Sequence, residues 1–493
     1  MNNLRKRTLT GLGWSGAARL LNQLLQMAAA IVLARLLSPR EYGLLGMVLV
    51  FTGFASSMAD MGLGASIIQR SSLSERHLNS VFWLNLATGF ALTVLIALLA
   101  PLLADFYGEP QLRPIAEVIA LNFSLASLNV VQNALLDKSL NFRAKFRIET
   151  ASTGVAGVVA LLLAFGGAGV WSLVGQLLTL STLRVLIMWT RSTWRPKFAF
   201  DASAIKELMR FGGHLTGFGA VIYWSSNIDK LVIGRWIGSA ALGVYSLADR
   251  LMRLPLTNVT DITTSVMFPA LSSIQHEQEA VRRAYLRGIG MIALITCPMM
   301  IALSVLAEPA ILVVYGSQWQ ASIPILQLLC CAGMAQSIYN TSAWIFLSQG
   351  RTDILFRLGV YTTAVRTIGV IIGARWGLIG VAWAYLLGTY LLVWYPTWSR
   401  AARLIGLKVP TLLRRVAGPL ACAALMGAVL WMSDRSLLKD QPMQLRLGVQ
   451  LPLAALLYLV LIRQSKLRAW TDTRAILLEL GAGRSRALRW MLS

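Results

Sequence analysis

Residues 34–45 read ARLLSPREYGLL and residues 234–245 read GRWIGSAALGVY. In both, an apolar run ends in arginine and a glycine follows eight residues later: Arg35 to Gly43 and Arg235 to Gly243, an offset of 200. Further pairs continue the series. Tyr107-Gly108 matches Tyr315-Gly316 (offset 208), Pro114-Ile115 matches Pro324-Ile325 (210), Phe146-Arg147 matches Phe356-Arg357 (210) and Asn129 matches Asn340 (211). Gly166-x-x-Gly169-Val170 then matches Gly377-x-x-Gly380-Val381. Any one match carries little, because glycine and proline punctuate many loops. Their common order and nearly constant offset identify an internal duplication. The offset grows from 200 to 208 and then holds at 210 or 211, which places a longer loop around Ser272 to Arg287 in the second copy.

The repeated unit is apolar. Of 493 residues, 56% are hydrophobic and 13% charged, where soluble proteins carry about 25% charged residues; mean hydropathy is +0.63. Apolar segments of membrane-spanning length run almost end to end, with fourteen candidate spans centred near residues 23, 52, 91, 124, 157, 179, 221, 253, 300, 334, 363, 387, 422 and 454. In hydrocarbon the backbone must satisfy its own hydrogen bonds, and a barrel would show alternating segments of about ten residues, so these spans are helices. The expected fold is all-α, a polytopic membrane protein of about 14 transmembrane helices. Six spans per copy is an even number, so the copies point the same way. Two six-helix parallel pseudo-repeats would then enclose a central cavity, with two further helices after them. The corresponding boundaries are 1–200 for the N-terminal lobe, 201–405 for the C-terminal lobe, 406–465 for helices 13 and 14, and 466–493 for a cytoplasmic amphipathic tail.

A net charge of +24 suggests nucleic acid until its distribution is read. Connections on the side of the N-terminus carry 31 of the 45 Lys and Arg residues and the opposite connections carry 8. That asymmetry orients a membrane protein with both ends in the cytoplasm; attraction to anionic headgroups is secondary, and no nucleic-acid partner is expected. The basic start of the chain leads into a long apolar run without a small-residue cleavage site, and reads as an uncleaved first span. Cys297, Cys330, Cys331 and Cys422 lie inside apolar runs without metal-ligand spacing and read as small buried hydrophobes.

Ionisable groups inside spans are costly and mark functional sites by default. The first span offers Ser15, Arg19, Asn22, Gln23 and Gln26 on one helical face, and the second ends at Asp60. The fourth carries Asn122, Asn129 and Asn133, the seventh His214, Asp229 and Lys230, and the eleventh Arg366. The eighth, YSLADRLMRLPLTNVTD (245–261), places Ser246, Asp249, Arg253, Thr257, Thr260 and Thr264 in steps of three and four, with Arg250 beside the stripe and Pro255 able to loosen the helix. Asp249 and Arg253, four apart, form a helical ion pair in the plainer reading, in which polar groups merely join helices. The intramembrane cations nevertheless exceed what the aspartates neutralise. A guanidinium stays charged and grips phosphate in a bidentate fork, so the surplus fits an anionic substrate. The chain holds no G-x-x-x-x-G-K-[ST] loop, no S-x-x-K and no H-E-x-x-H, and no connection offers the paired carboxylates of a glycosyl-transfer site. An enzyme is the weaker reading.

The segments GLGWSG, LARLLSPREYGLL, DMGLGASIIQR, NIDKLVIGRWIGSAALGVYSLADRL and VMFPALSSIQ resemble the Wzx-type polysaccharide flippases, the polysaccharide transporter branch of the multidrug/oligosaccharidyl-lipid/polysaccharide exporter superfamily. The resemblance covers roughly the first 400 residues. It implies a bacterial inner-membrane protein that flips undecaprenyl-pyrophosphate-linked oligosaccharide repeat units for exopolysaccharide, capsule or O-antigen biosynthesis. It also implies alternating access, no cofactor beyond a coupling H+ or Na+, and work alongside a polysaccharide polymerase and chain-length regulator. On this reading Arg19, Arg250, Arg253 and Arg366 face the pyrophosphate, and Asn22, Gln26, Asn129 and Thr257 line the sugar path. Asp249, Asp229 and Asp60 are the candidates for ion coupling. The alternative is a cation-coupled, MATE-like multidrug exporter, in which Asp249 would take the central role; a membrane-embedded polymerase is a third, weaker reading.

Overall fold

The structure, a computed structural model, describes residues 21–59, 63–69, 74–139, 141–203, 205–206, 223–224, 226–465 and 467–479. They are helical throughout, with no strand among the described residues. The chain divides into two compact units between Gly243 and Val244.

The first unit opens with α1 (Leu21–Leu36) and α2 (Pro39–Ala59). The turn between them is fixed by a capping box. Ser38 precedes the helix, Pro39 takes its first position, and Glu41 reaches back to accept from the Ser38 backbone N–H at 2.6 Å and from its hydroxyl at 2.9 Å. There follow α3 (Leu63–Gln69), α4 (Glu75–Tyr107), α5 (Leu112–Ser127), α6 (Val130–Lys138), α7 (Phe142–Phe165), α8 (Val170–Arg191), α9 (226–236) and the first residues of α10 (Ser239–Ser273). With 33 residues, α4 is about 50 Å long, ample for a hydrocarbon core of about 30 Å. Helices α5 and α6 meet at a 43° bend. The Leu128 carbonyl at the break accepts from the Trp189 indole of α8 at 3.1 Å, so the backbone group freed by the bend keeps a partner away from water.

Within this unit the quoted repeats meet each other. A Cβ on Gly43 would overlap the carbonyl oxygen of Ser239, and a Cβ on Gly243 would overlap that of Pro39. The two contacts are the same contact, displaced by the repeat offset of 200. Glu109 ties both strands of the junction, accepting from Arg40 at 3.0 Å and from the Ser239 hydroxyl at 2.8 Å.

The second unit contains the rest of α10, then α11 (Gln278–Val305), α12 (Ala307–Val314), α13 (Ser322–Tyr339), α14 (Ser342–Ser348), α15 (Thr352–Gly373) and α16 (Gly377–Leu387). A π-helical segment, Gly388–Val393, joins α16 to α17 (Trp394–Leu404), and α18 (Val409–Ser436), α19 (Met443–Gln464) and α20 (Arg468–Glu479) complete the unit. Its core holds the fully buried Trp319, Trp344, Trp398, Tyr285 and Phe346. The Trp344 indole donates to Thr264 at 2.9 Å, anchoring α10 to α14. Asp434 of α18 accepts from Arg446 (2.8 Å) and Gln450 (2.9 Å) of α19, pinning the last two long helices together. Helix α20 packs on α11 and α18, where Asp472 lies 3.6 Å from Arg287 and 3.3 Å from Arg415. The described part of the expected tail is thus docked on the unit. All four cysteines are free thiols, three of them buried, with Cys331 exposed.

Among the described residues eight helices are long and apolar enough to cross a membrane, nine if the bent α5–α6 pair is one span. The stretch Thr352–Leu404 covers two expected spans, turning at Gly377 with φ +69°. Large apolar side chains such as Leu98, Leu162, Phe165 and Leu391 are more than 60% exposed on these helices, the surface a lipid-embedded bundle presents. The chain is an all-α, multi-pass membrane protein.

The glycine junction makes a prediction. Gly43→Ala and Gly243→Ala, which on propensity alone would favour the helix by up to about 1 kcal/mol, should instead lower the melting temperature of the purified protein, because a backbone carbonyl must move by more than side-chain repacking allows. Gly154→Ala, where a Cβ meets nothing within 4 Å, is the control and should be neutral or stabilising. Equal melting temperatures for all three variants would disprove the close approach.

Candidate functional site

Helix α10 brings the charges of the eighth expected span into the second unit. Asp249 and Arg253 sit one turn apart on it, and the Arg253 Nε donates to Asp249 Oδ1 at 2.7 Å. The aspartate is 4% exposed at its side chain and the arginine 31%, so the carboxylate is enclosed while the arginine is part-buried, its Nη2 shielded from solvent.

Arg366 approaches from α15. Its Nη2 donates to the Tyr385 hydroxyl of α16 at 2.7 Å, and its guanidinium carbon lies 4.7 Å from the centre of the same ring, so the arginine uses both the phenol oxygen and the negative face of the ring. The Tyr385 hydroxyl in turn donates a hydrogen bond to Gln336 Oε1 of α13 at 3.0 Å. Asp249 and Arg253 both lie close enough to act electrostatically on this tyrosine. Four helices of one unit therefore converge on it: α10, α13, α15 and α16. The cluster holds two guanidiniums and one carboxylate. At an effective dielectric of about 20, unit charges 4 Å apart interact by about 4 kcal/mol, against about 1 kcal/mol in water. A surplus positive charge there attracts an anion far more strongly than the same charge on the protein surface.

The remaining predicted residues fall elsewhere. Arg250, next to Asp249 on α10, is exposed and acts electrostatically on Tyr315. Thr257 is exposed and turns its hydroxyl back on the carbonyl of Arg253 at 3.1 Å. Asp229 is buried and accepts the backbone N–H of Lys230 at 2.9 Å. On α1, Asn22 is buried with its side-chain oxygen unbonded, while Gln26 is exposed. Asn129 lines a pocket of about 50 Å³ in the first unit with Asn133, Lys145, Glu149 and Arg184; its side-chain oxygen is also unbonded. Arg19, Asp60, Ser15 and His214 lie outside the described residues. The sequence reading missed Tyr385 and Gln336. Each is a neutral polar residue inside an apolar run, a signal that a search for ionisable groups passes over.

No group of three or more His, Cys, Asp or Glu residues able to hold a metal occurs among the described residues. The family model described as "Polysaccharide biosynthesis protein" matches residues 32–324. The chain belongs to the polysaccharide biosynthesis protein family. The lipopolysaccharide biosynthesis protein WzxC of Escherichia coli (strain K12) is 30% identical to this family member over 78% of its chain and 79% of WzxC. Solved structures share its fold. The lipid II flippase MurJ in an inward closed conformation superposes with a TM-score of 0.72 at 14% identity, covering 91% of this chain and 97% of MurJ. An inward-facing MATE multidrug resistance transporter of the MOP superfamily gives 0.61 at 17% identity, covering 78% and 95%. A further relative, 28% identical over 79% of both chains, is the succinoglycan biosynthesis transport protein ExoT of Rhizobium meliloti (strain 1021).

The network can be tested without cargo. Tyr385→Phe and Arg366→Gln should each cost about 1–2 kcal/mol of stability, the range for a lost buried hydrogen bond. Together they should cost less than their sum by at least about 0.5 kcal/mol, since both remove the same contact. Additive losses in a thermal-melting cycle on the purified protein would rule the contact out.

Proposed function

We propose that this family member flips lipid-linked oligosaccharide repeat units, carried on undecaprenyl pyrophosphate, from the cytoplasmic to the periplasmic leaflet of a bacterial inner membrane, with both termini in the cytoplasm. The observation that carries the reading is the pair Arg253 and Arg366, held around Asp249 and Tyr385 inside an apolar helical unit, in a chain whose family is named for polysaccharide biosynthesis. The orientation is supported by the excess of Lys and Arg on one set of connections.

In this mechanism the two guanidiniums neutralise the pyrophosphate while the prenyl chain stays in lipid, and Arg19 of the first span is a further candidate cation for it. The Gln336 amide, Asn22 and Asn129 offer hydrogen bonds to sugar hydroxyls. Asp249 serves as the coupling group: when it takes up H+ or Na+, it releases Arg253 to the phosphate, and when it is ionised and empty, it takes Arg253 back. Asp229 and Asp60 are the second-choice coupling groups. The site then opens to one leaflet and the other in turn, delivering the repeat unit to a polymerase and chain-length regulator. Arg250, exposed and one residue from Asp249, is a further candidate for holding the pyrophosphate.

Polymer export in a cell that depends on this protein is the test. Arg253→Ala and Arg366→Ala should abolish export at normal membrane abundance, Arg253→Lys should restore a fraction, and Arg250→Ala should lower export by less than either. Asp249→Asn should slow export and flatten its dependence on the ion gradient. The shared fold with a MATE transporter favours one other reading, export of organic cations. That reading predicts the opposite ranking, with Asp249→Asn inactive and both arginine variants tolerated.

A further inference from the structure

A second basic site lies at the opposite end of α15 from its turn with α16. A cleft of about 360 Å³ opens there, lined by Arg351, Asp353, Arg357, Tyr361 and Arg400, within the range of about 300–1,000 Å³ for ligand pockets. Arg351 is already used: its Nε and Nη2 hold the two Asp353 oxygens at 3.0 and 3.2 Å. Arg357 and Arg400 face the same cleft, and no carboxylate other than Asp353 lines it. The cleft therefore offers two guanidiniums beyond the neutralised pair.

Its surroundings define what fits. The Tyr361 hydroxyl donates to the Leu392 carbonyl at 3.0 Å, closing the wall toward the π-helical segment. Beyond it the surface is apolar and exposed: Phe356 is 50% exposed, Val360 47%, Leu391 70% and Leu392 49%. A pocket of arginines thus borders an exposed apolar face, on the end of the bundle where the sequence concentrates its Lys and Arg. A soluble anion would use only the first feature, and an acyl or prenyl chain only the second.

We propose that this cleft binds the phosphate group of a lipid, with the guanidiniums of Arg357 and Arg400 on the phosphate and the lipid chain along Phe356, Val360 and Leu391. Basic pockets between helices on the cytoplasmic side suit such headgroups, and paired guanidiniums suit phosphate oxygens. The site stands apart from the Arg253–Arg366 cluster and does not depend on what that cluster carries.

The purified full-length protein is titrated with cardiolipin, undecaprenyl pyrophosphate, phosphatidylcholine and inorganic pyrophosphate, with binding read by native mass spectrometry. At least one of the first two should bind, and the Arg357→Gln/Arg400→Gln variant should weaken it about tenfold or more. Arg357→Lys/Arg400→Lys should fall between the two. Arg375→Gln, an exposed arginine in the turn at the far end of α15, should bind as the native protein does. Cardiolipin binding assigns the site to a resident phospholipid, and undecaprenyl pyrophosphate binding assigns it to a lipid precursor; both support the proposal. Unchanged lipid binding by the double glutamine variant, with its melting temperature intact, overturns it. So does equally tight, arginine-dependent binding of inorganic pyrophosphate, which would make the lipid chain irrelevant.

Discussion

Two glycines without room for a methyl group hold the start of the second copy against the first. Gly43 lies on the carbonyl of Ser239 and Gly243 on that of Pro39. Without a hydrophobic driving force between helices in lipid, association relies on close backbone packing of small residues, and Cα–H to carbonyl contacts add modestly to it. The junction is also reciprocal: each copy offers the same carbonyl position to the same glycine of the other, as in an isologous dimer interface. A substitution on either side therefore damages the junction in the same way. The capping box of Ser38 and Glu41 and the Glu109 bridge between Arg40 and Ser239 fix the approach of the backbones on which this contact depends.

The second unit carries a charge cluster whose partners lie within that unit. Arg253 and Arg366 are expensive in hydrocarbon, and each is held by a group that suits it: Asp249 on the same helix, and Tyr385 with both its ring and its oxygen. Neither contact extinguishes the charge, because a phenol and a shared carboxylate neutralise less than two guanidiniums carry. The Tyr385 hydroxyl serves as donor to Gln336 and acceptor from Arg366 at once. It thereby joins three helices through a single oxygen, and moving any one of them disturbs the arginine.

The sequence made some of this legible and hid the rest for physical reasons. Polytopic, all-helical architecture and the duplication follow from apolar length and from glycine and proline order, which are local signals. The Asp249–Arg253 pair follows from a spacing of four. The orientation of Arg250 does not: it stands about 100° around the helix from Asp249, and only the packing of other helices decides whether that direction is enclosed or open. The break between α5 and α6 was also hidden. The donor that makes it tolerable, Trp189, is 61 residues away from Leu128. Tyr385 and Gln336 were missed because their importance lies in what they touch across helices, which no periodicity records.

The duplication gives a way to separate scaffold from function. At an offset of 210, Arg366 corresponds to Ala156; at 211, Tyr385 corresponds to Val174 and Gln336 to Leu125. Ala156 and Val174 are buried apolar residues in the first unit. The first copy thus has the helices of the network but none of its polar atoms, while the glycines that join the copies occur in both. Features kept in both copies serve the fold, which each half must build for itself. The arginine, the tyrosine and the glutamine occur in one copy only, and the fold of the other stands without them. Their cost in the membrane is accordingly not one that the repeated fold itself imposes.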